Sequence, residues 1–124
     1  MLKKCKITIQ DISIIVNIKK TYTSEMIWEM LPYTSINKKW GNENFFSFDI
    51  NCPLECDAKS VIELGDIVFW PEGKCIAIGY GPTPISKGEE IRLISKCNIW
   101  GKSTCNLHRL KKFSGQEKVK IERL

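Results

Sequence analysis

The sequence predicts a mostly β protein whose strands close into a barrel or pack as a sandwich. Short apolar or alternating segments recur along the whole chain, about eight to ten in number. Turn residues separate them at intervals of roughly 8–12 residues, the spacing typical of all-β domains. Only one segment has the periodicity of a helix. A closed barrel is favoured because it leaves no apolar strand edge exposed.

Composition sets the class of protein and its compartment. The chain has 124 residues, of which 43% are hydrophobic, so we expect one domain, residues 1–124, with its own core. The first ten residues have no apolar leader, and no run is long enough to span a membrane. We therefore expect a cytoplasmic protein whose six cysteines remain free thiols. Cys5, Cys75 and Cys97 lie in or beside apolar runs and should pack as small hydrophobic residues.

The positive charge is concentrated at the C-terminus. The net charge is +5, and residues 102–124 carry seven Lys/Arg against two Asp/Glu. A basic segment can contact nucleic acid. Residues 118–123 (KVKIER), however, alternate charged and apolar side chains, as a half-buried strand does. We therefore expect a strand with Val119 and Ile121 on one face, and no nucleic-acid partner.

The chain opens with two strands. Residues 3–10 (KKCKITIQ) alternate apolar and polar side chains, which is typical of a half-buried strand. Residues 12–18 (ISIIVNI) form a second β-rich run, and Asp11 lies at the turn between them. The two segments predict a hairpin.

The one helix follows this hairpin. Thr23 or Ser24 is the expected N-cap, and Glu25 brings a negative charge to the positive end of the helix. Pro32 should end it, because proline disfavours helical geometry in the preceding residue. A helix of about eight or nine residues is not stable alone and must pack on the sheet. The side chains expected on its apolar face are Met26, Ile27, Met30 and Leu31.

The central segment predicts a buried hairpin. Residues 33–43 are expected to form a loop, residues 44–50 (NFFSFDI) an alternating strand and residues 60–64 a short one. Residues 66–70 (DIVFW) and 74–80 (KCIAIGY) are joined by the turn sequence Pro-Glu-Gly. Both are apolar at nearly every position, so both of their faces should be covered.

The C-terminal third predicts a long loop followed by strands. The loop is residues 81–90 (GPTPISKGEE). Residues 90–94 and 96–100 are expected as two short strands, residues 107–113 (LHRLKKF) as a further strand, and residues 117–124 as the last strand.

Four stretches together resemble a small prokaryotic cyclophilin-like family: IWEMLPYTS, WGNENFF, GDIVFWPEGKCIAIGYGPTPIS and EEIRLISKCNIWGK. They contain a helix ending in LP, the WG-x-E motif, GPTP and EIR, in the family's order, over about residues 23–102. The resemblance implies a closed eight-stranded β-barrel like that of the cyclophilins, with one short α-helix. The sequence departs from the family pattern at Glu72, Tyr80 and Leu93, and of these only Leu93 puts a loop bend in doubt.

The resemblance implies no settled activity. Cyclophilins isomerise X-Pro bonds with the help of an arginine on the strand after the first helix, and residues 42–50 here contain no arginine. No catalytic role can therefore be transferred to this chain. A peptidyl-prolyl isomerase remains an alternative only if Arg92 acts from a different strand, since an isomerase need only stabilise the twisted amide.

The predicted site is an aromatic rim at the mouth of the barrel that binds a small ligand or a peptide. Concave sites of this kind combine aromatic walls with a few polar groups. Arg92 would be a charged donor and Glu43 an acceptor, together orienting one polar group of the ligand. The alternative is that the aromatic residues cap the core of a structural or oligomerisation domain. The six residues assigned to the site are Trp40, Glu43, Phe46, Tyr80, Thr83 and Arg92.

We expect no metal and no cofactor. Cys52, Cys56, Cys105 and His108 are the right residue types for structural zinc, but the Cys-x₃-Cys spacing is unusual and the resemblance does not support it. A nucleophilic pair of Cys105 and His108 is disfavoured because residues three apart in a strand point to opposite faces. The expected partners are a small molecule or peptide, with a homo-oligomer as a further option and no membrane.

Overall fold

The computed structural model describes residues 3–124 and confirms the mostly β class. It contains ten strands, one α-helix and one 3-10 helix. In chain order the elements are β1 (Lys4–Ile9), β2 (Ile12–Ile18), α1 (Tyr22–Met30), β3 (Tyr33–Ile36), β4 (Lys38–Lys39), β5 (Glu43–Ser47), β6 (Lys59–Ile62), β7 (Asp66–Trp70), β8 (Cys75–Gly79), β9 (Ile91–Lys102), the 3-10 helix (Leu107–Lys112) and β10 (Lys118–Arg123).

The sheet is nearly closed into a barrel by one extended segment. Neighbouring strands follow the order β3-β10-β1-β2-β9-β7-β8-β5-β4. β3 and β4 are two halves of residues 33–39, interrupted at Asn37, so this closing segment pairs with β10 at one end and with β5 at the other. Counting the closing segment once gives the eight barrel strands that the family resemblance implied. Residues 33–43 are therefore not the loop that the sequence predicted.

Alternation along the strands fills the barrel. Ile7 on β1 lies opposite Ile14 on β2 and Ile121 on β10, and all three are almost completely buried. The predicted inward positions of the last strand, Val119 and Ile121, are likewise confirmed. The largest fully buried side chains are led by Trp100, Phe46, Phe48 and Phe69.

A second apolar cluster covers the outer face of β7 and β8. The first half of β9 pairs with β6 and the second half pairs with β7, so residues 90–94 and 96–100 belong to one twelve-residue strand. The β6–β9 ribbon packs over the barrel wall, and the apolar character of both faces of the 66–80 hairpin is thereby explained. This outer cluster consists of Ile62, Val68, Ala77, Ile91, Leu93 and Cys97.

The helix begins earlier than the sequence predicted. Its N-cap is Thr21, whose side chain accepts a hydrogen bond from Ser24 N at 3.0 Å, while Ser24 Oγ accepts one from Thr21 N at 3.1 Å. This reciprocal capping box satisfies two N-terminal donors. Thr23 is not a cap; it is fully buried. Ile27 and Leu31 are buried as expected, whereas Met30 is 42% exposed.

Residues 107–113 are wrongly predicted as a strand. They form a 3-10 helix capped by Asn106, whose side-chain oxygen accepts from His108 N at 3.2 Å. Leu107, Leu110 and Phe113 all point into the core. Their spacing of three residues is the period of a 3-10 helix, in which such side chains eclipse.

The predicted state of the cysteines is confirmed. All six are free, and Cys5, Cys75 and Cys97 are buried, with Cys5 and Cys97 inside the apolar clusters. Burial raises the pKa of both Cys5 and Cys97 to about 12, which keeps these thiols protonated and unreactive. Among residues 3–124, no helix has both the length and the apolar content needed to cross a membrane.

Candidate functional site

The turn at residues 40–43 packs against the loop at residues 81–86, and we call these two segments together the rim. Asn42 N donates a hydrogen bond to Pro82 O at 3.1 Å, and Tyr80 N donates to Asn42 O at 2.9 Å. Gly41 has a φ of +60°, and a Cβ atom there would lie 2.8 Å from Pro84 Cδ. Only glycine therefore allows the turn to approach the loop this closely.

The rim is also attached to β9. The hydroxyl of Thr83 donates to the backbone oxygen of Arg92, and Ser86 Oγ accepts from Arg92 N at 3.2 Å. Ser86 Oγ also accepts from Thr83 N at 2.8 Å. Segments far apart in sequence thus meet at one place.

Glu43 is the unusual residue of this region. It begins β5 opposite Gly79 and is only 7% exposed. Its Oε1 atom has no hydrogen-bond partner within residues 3–124. Burial raises the pKa of this carboxyl group to about 7, because a charged carboxylate is poorly solvated there. Unpartnered buried oxygens are rare in folded proteins, so this atom marks a candidate ligand contact.

Arg92 does not pair with Glu43. Its guanidinium group contacts Glu90 through two hydrogen bonds, Nε to Oε2 at 2.5 Å and Nη2 to Oε1 at 3.2 Å. The bond from Arg92 lowers the pKa of Glu90 and keeps that carboxylate charged. The Arg92 side chain is still 31% exposed. Part of the guanidinium side chain is therefore accessible to solvent.

Two of the six predicted residues face the barrel interior. Phe46 is completely buried in the main core. Tyr80 is 3% exposed, and its hydroxyl donates to Asn44 Oδ1 at 2.8 Å. Burial, followed by the negative charge of Glu43, raises the pKa of Tyr80 to about 12. Phe46 and Tyr80 therefore belong to the main core, whereas Trp40 is half-buried and Thr83 is buried.

Sequence reasoning missed a buried polar network beside α1. Thr23 Oγ1 hydrogen-bonds the carboxylate of Glu55 and accepts from Asn98 Nδ2 at 3.0 Å. Asn98 Oδ1 in turn accepts from Glu55 N at 2.8 Å, and Thr23 Oγ1 lies 3.1 Å from Cys52 Sγ. The network joins residues 52–55 to α1 and β9. The signal for it was Asn98, a polar residue inside the apolar run KCNIW.

The zinc site that the sequence offered as an alternative is not formed by the described residues. Among residues 3–124, no three His, Cys, Asp or Glu side chains are grouped so that they could hold a metal ion. Cys52 belongs to the polar network, Cys56 is exposed, and Cys105 Sγ accepts from Ile15 N at 3.4 Å.

Two concave surfaces lie away from the rim. One is a broad groove of about 1000 Å³ along β1, β3 and β10, lined mainly by uncharged polar side chains and lysines. The other is a cleft of about 510 Å³ beside the start of α1. We call the second one the lysine cleft, since its walls include Lys3, Lys19, Lys20, Lys102, Glu25 and Trp28.

The fold is a small, nearly closed barrel with an external ribbon, and comparison with known proteins places the chain in a family. The family described as cyclophilin-like matches residues 3–122, and the chain belongs to this family. A hypothetical protein from Archaeoglobus fulgidus, known from a solution structure, is similar with 28% identity and a TM-score of 0.83. The similarity covers 99% of this chain and 95% of that one. No curated protein matches the sequence.

Proposed function

We propose that this cyclophilin-like protein is a binding module that holds a small ligand or a short peptide at the rim. The observation that carries the proposal is the unpartnered, buried Oε1 of Glu43, the residue at which the turn at 40–43 enters β5. A ligand N–H or O–H group that donates to this oxygen removes the cost of an unsatisfied buried acceptor, about 1–3 kcal/mol.

Other rim residues supply the remaining contacts of the proposal. Trp40 is half-buried and offers apolar surface, and Arg92 offers a charged donor to a ligand carbonyl or carboxylate. Because the Oε1 atom of Glu43 is buried, a ligand reaches it only when the side chains that cover it move. Free thiols at all six cysteines support the proposal that the module works in the reducing cytoplasm.

A peptide titration tests the proposal. A proline-containing tetrapeptide is added to ¹⁵N-labelled protein, and the indole signal of Trp40 and the amide signals of residues 40–43 are followed. At pH 8, where the Glu43 carboxyl group is charged, we expect saturable shifts that weaken about tenfold in Glu43→Gln, since replacing the carboxylate removes its charge-assisted bond. Glu89→Gln, at an exposed carboxylate of the neighbouring loop, is the matched control and should bind normally. Unchanged binding by Glu43→Gln would show that Glu43 does not contact the ligand.

The isomerase alternative is retained because Arg92 is hydrogen-bonded to the rim through its backbone and has a partly exposed guanidinium group. It is weakened by the two hydrogen bonds to Glu90, which already occupy two of the guanidinium donors. A proline-peptide isomerisation assay separates the two functions. The binding module predicts no rate above background; a rate that Arg92→Ala abolishes and Arg109→Ala retains would establish the enzyme.

The oligomer alternative has one supporting observation. Val61 and Ile94 are 36% and 54% exposed and share the outer face of the β6–β9 ribbon with Arg92. Such apolar side chains favour contact with another copy. Sedimentation of the wild type and of Ile94→Thr tests this: a concentration-independent monomer would exclude it.

A further inference from the structure

The lysine cleft lies beside the start of α1 and takes no part in the rim. The fold gathers its cations from separate segments. Lys3 precedes β1, Lys19 and Lys20 link β2 to α1, and Lys102 ends β9. Ile18 N donates to Lys3 O at 3.0 Å, and Asn17 pairs with Lys102, so these segments are held side by side.

The charge of the cleft is largely uncompensated. Four lysines face one carboxylate, Glu25. Lys102 contacts Asp66 at 3.3 Å and Glu63 at 3.7 Å. Within residues 3–124, Lys3, Lys19 and Lys20 form no ion pair. Three unpaired ammonium groups around one concave surface attract an anion.

Trp28 gives the cleft an aromatic wall. Lys3 Nζ lies 5.0 Å from the centre of its ring, and Arg123 Cζ lies 5.2 Å away. Arg123 is fixed by donating to Trp28 O from Nε at 3.1 Å and from Nη2 at 2.7 Å. Cations are thus held against an apolar ring, an arrangement that suits a ligand with one charged end and one planar or apolar end.

The N-terminus of α1 is not the source of the attraction. Ser24 N already donates to Thr21 Oγ1 at 3.0 Å, and Thr23 N donates to Glu55 Oε2 at 3.2 Å. Because these amides have partners, anion binding depends on the lysine side chains.

We propose that the lysine cleft binds a phosphorylated small molecule. Its phosphate contacts Lys3, Lys19 and Lys20, and its uncharged part packs against Trp28. The volume of about 510 Å³ lies within the range of small-molecule sites. A small molecule is favoured over a nucleic-acid strand because α1 forms one wall and Glu25 would repel a continuous phosphate backbone. In contrast, Glu25 can accept a hydrogen bond from a ligand hydroxyl or amino group.

Calorimetric titration of the full chain tests this at low ionic strength, with sodium pyrophosphate and ADP as probes. We expect saturable one-to-one binding by the wild type that weakens about tenfold in the double variant Lys19→Gln/Lys20→Gln, since two charge-assisted contacts are lost. The control is Lys59→Gln/Lys96→Gln, which changes the net charge equally at two exposed lysines outside the cleft. It should alter the affinity by less than about twofold.

The outcomes decide between recognition modes. Tighter binding of ADP, with a fluorescence change that Trp28→Phe removes, shows that the aromatic wall contacts the ligand. Equal affinities that both weaken in Lys19→Gln/Lys20→Gln show recognition of phosphate alone at the same cleft. The proposal is overturned if the wild type binds neither probe saturably, or if the control double variant weakens binding as much. Tight binding of an oligouridylate without binding of either probe also overturns it, in favour of nucleic acid.

Discussion

At the scale of single residues, Glu43 shows how a buried carboxyl group makes the stability depend on pH. Its pKa is about 7 in the folded protein, against an ordinary value of 4.5. Between these values the folded state holds a proton that the unfolded state has lost. Stability therefore falls as the pH rises through this window.

Glu43→Gln should abolish that dependence. The side chain keeps its shape but cannot ionise, so we expect the variant to be more stable than the wild type at pH 8, by up to about 3 kcal/mol. At pH 5 the two proteins should differ much less. Urea unfolding at both pH values measures this. A wild-type stability that does not change between pH 5 and pH 8 would show that Glu43 is solvated.

Replacing Gly41, with Gly88 as the matched control, tests how closely the turn at 40–43 packs against the loop at 81–86. Both have a positive φ, +60° and +64°, but only at Gly41 would a Cβ atom meet other atoms within 4 Å. Gly88→Ala should cost about 1 kcal/mol, the strain of the left-handed conformation alone. Gly41→Ala should cost clearly more and should also broaden or shift the NMR signals of residues 81–86. Equal costs measured by thermal unfolding would show that the turn does not pack on the loop.

At the scale of elements, the sequence was sufficient wherever alternation or turn chemistry was strong. The first two strands, the hairpin at 66–80 and the last strand were predicted close to their observed bounds. The closing segment was missed because its two parts, YTSI and KK, pair through backbone atoms and show no alternating apolar pattern. The first half of β9 was separated from the second because the strand changes partners within one continuous run.

The candidate site was predictable in its chain segments but not in the direction of its side chains. The motifs WG-x-E and GPTP indicated that two loops meet, and the hydrogen bonds of Asn42 to Pro82 and Tyr80 show that they do. Phe46 and Glu43, however, are an odd number of positions apart on β5 and therefore point to opposite faces. The pairing of Arg92 with Glu90 depends on a loop conformation that no local pattern fixes.

The 3-10 helix closes one side of the main core, and Leu110 is its fully buried anchor. Leu110→Ala should destabilise the protein by about 2–5 kcal/mol through lost burial and the cavity that remains. The neighbouring exposed position supplies the control, since Lys111→Ala should change the stability by less than about 0.5 kcal/mol. Chemical denaturation checks both. A small effect of Leu110→Ala would mean that this element is peripheral.

At the scale of the whole molecule, the barrel depends on the joint at Asn37. This residue is completely buried. Its backbone N–H donates to Glu117 O at 2.8 Å, and its backbone oxygen accepts from Gln116 N at 2.7 Å. Its side chain donates to Glu117 Oε1 at 2.9 Å. Glu117 also accepts from Ser114 N and Gly115 N, at 3.2 Å and 3.0 Å. One carboxylate thus joins the closing segment to the turn before β10.

Acid should loosen the barrel at this joint first. Slight burial raises the pKa of Glu117, but the hydrogen bonds from Asn37 and the turn outweigh it and lower the pKa below its ordinary value. The stabilisation from this carboxylate is therefore present above its unfolded-state pKa and is lost as the pH falls through the folded-state value. Hydrogen-exchange protection of the Asn37 and Gln116 amides should fall at acid pH more than that of the β7–β8 amides. Glu117→Gln should show the loosened joint at neutral pH. Glu122→Gln, at a half-buried position of β10 where the carboxylate contacts only Lys6 and Lys120, should not. Uniform loss of protection across the sheet would show instead that the barrel opens as a single unit.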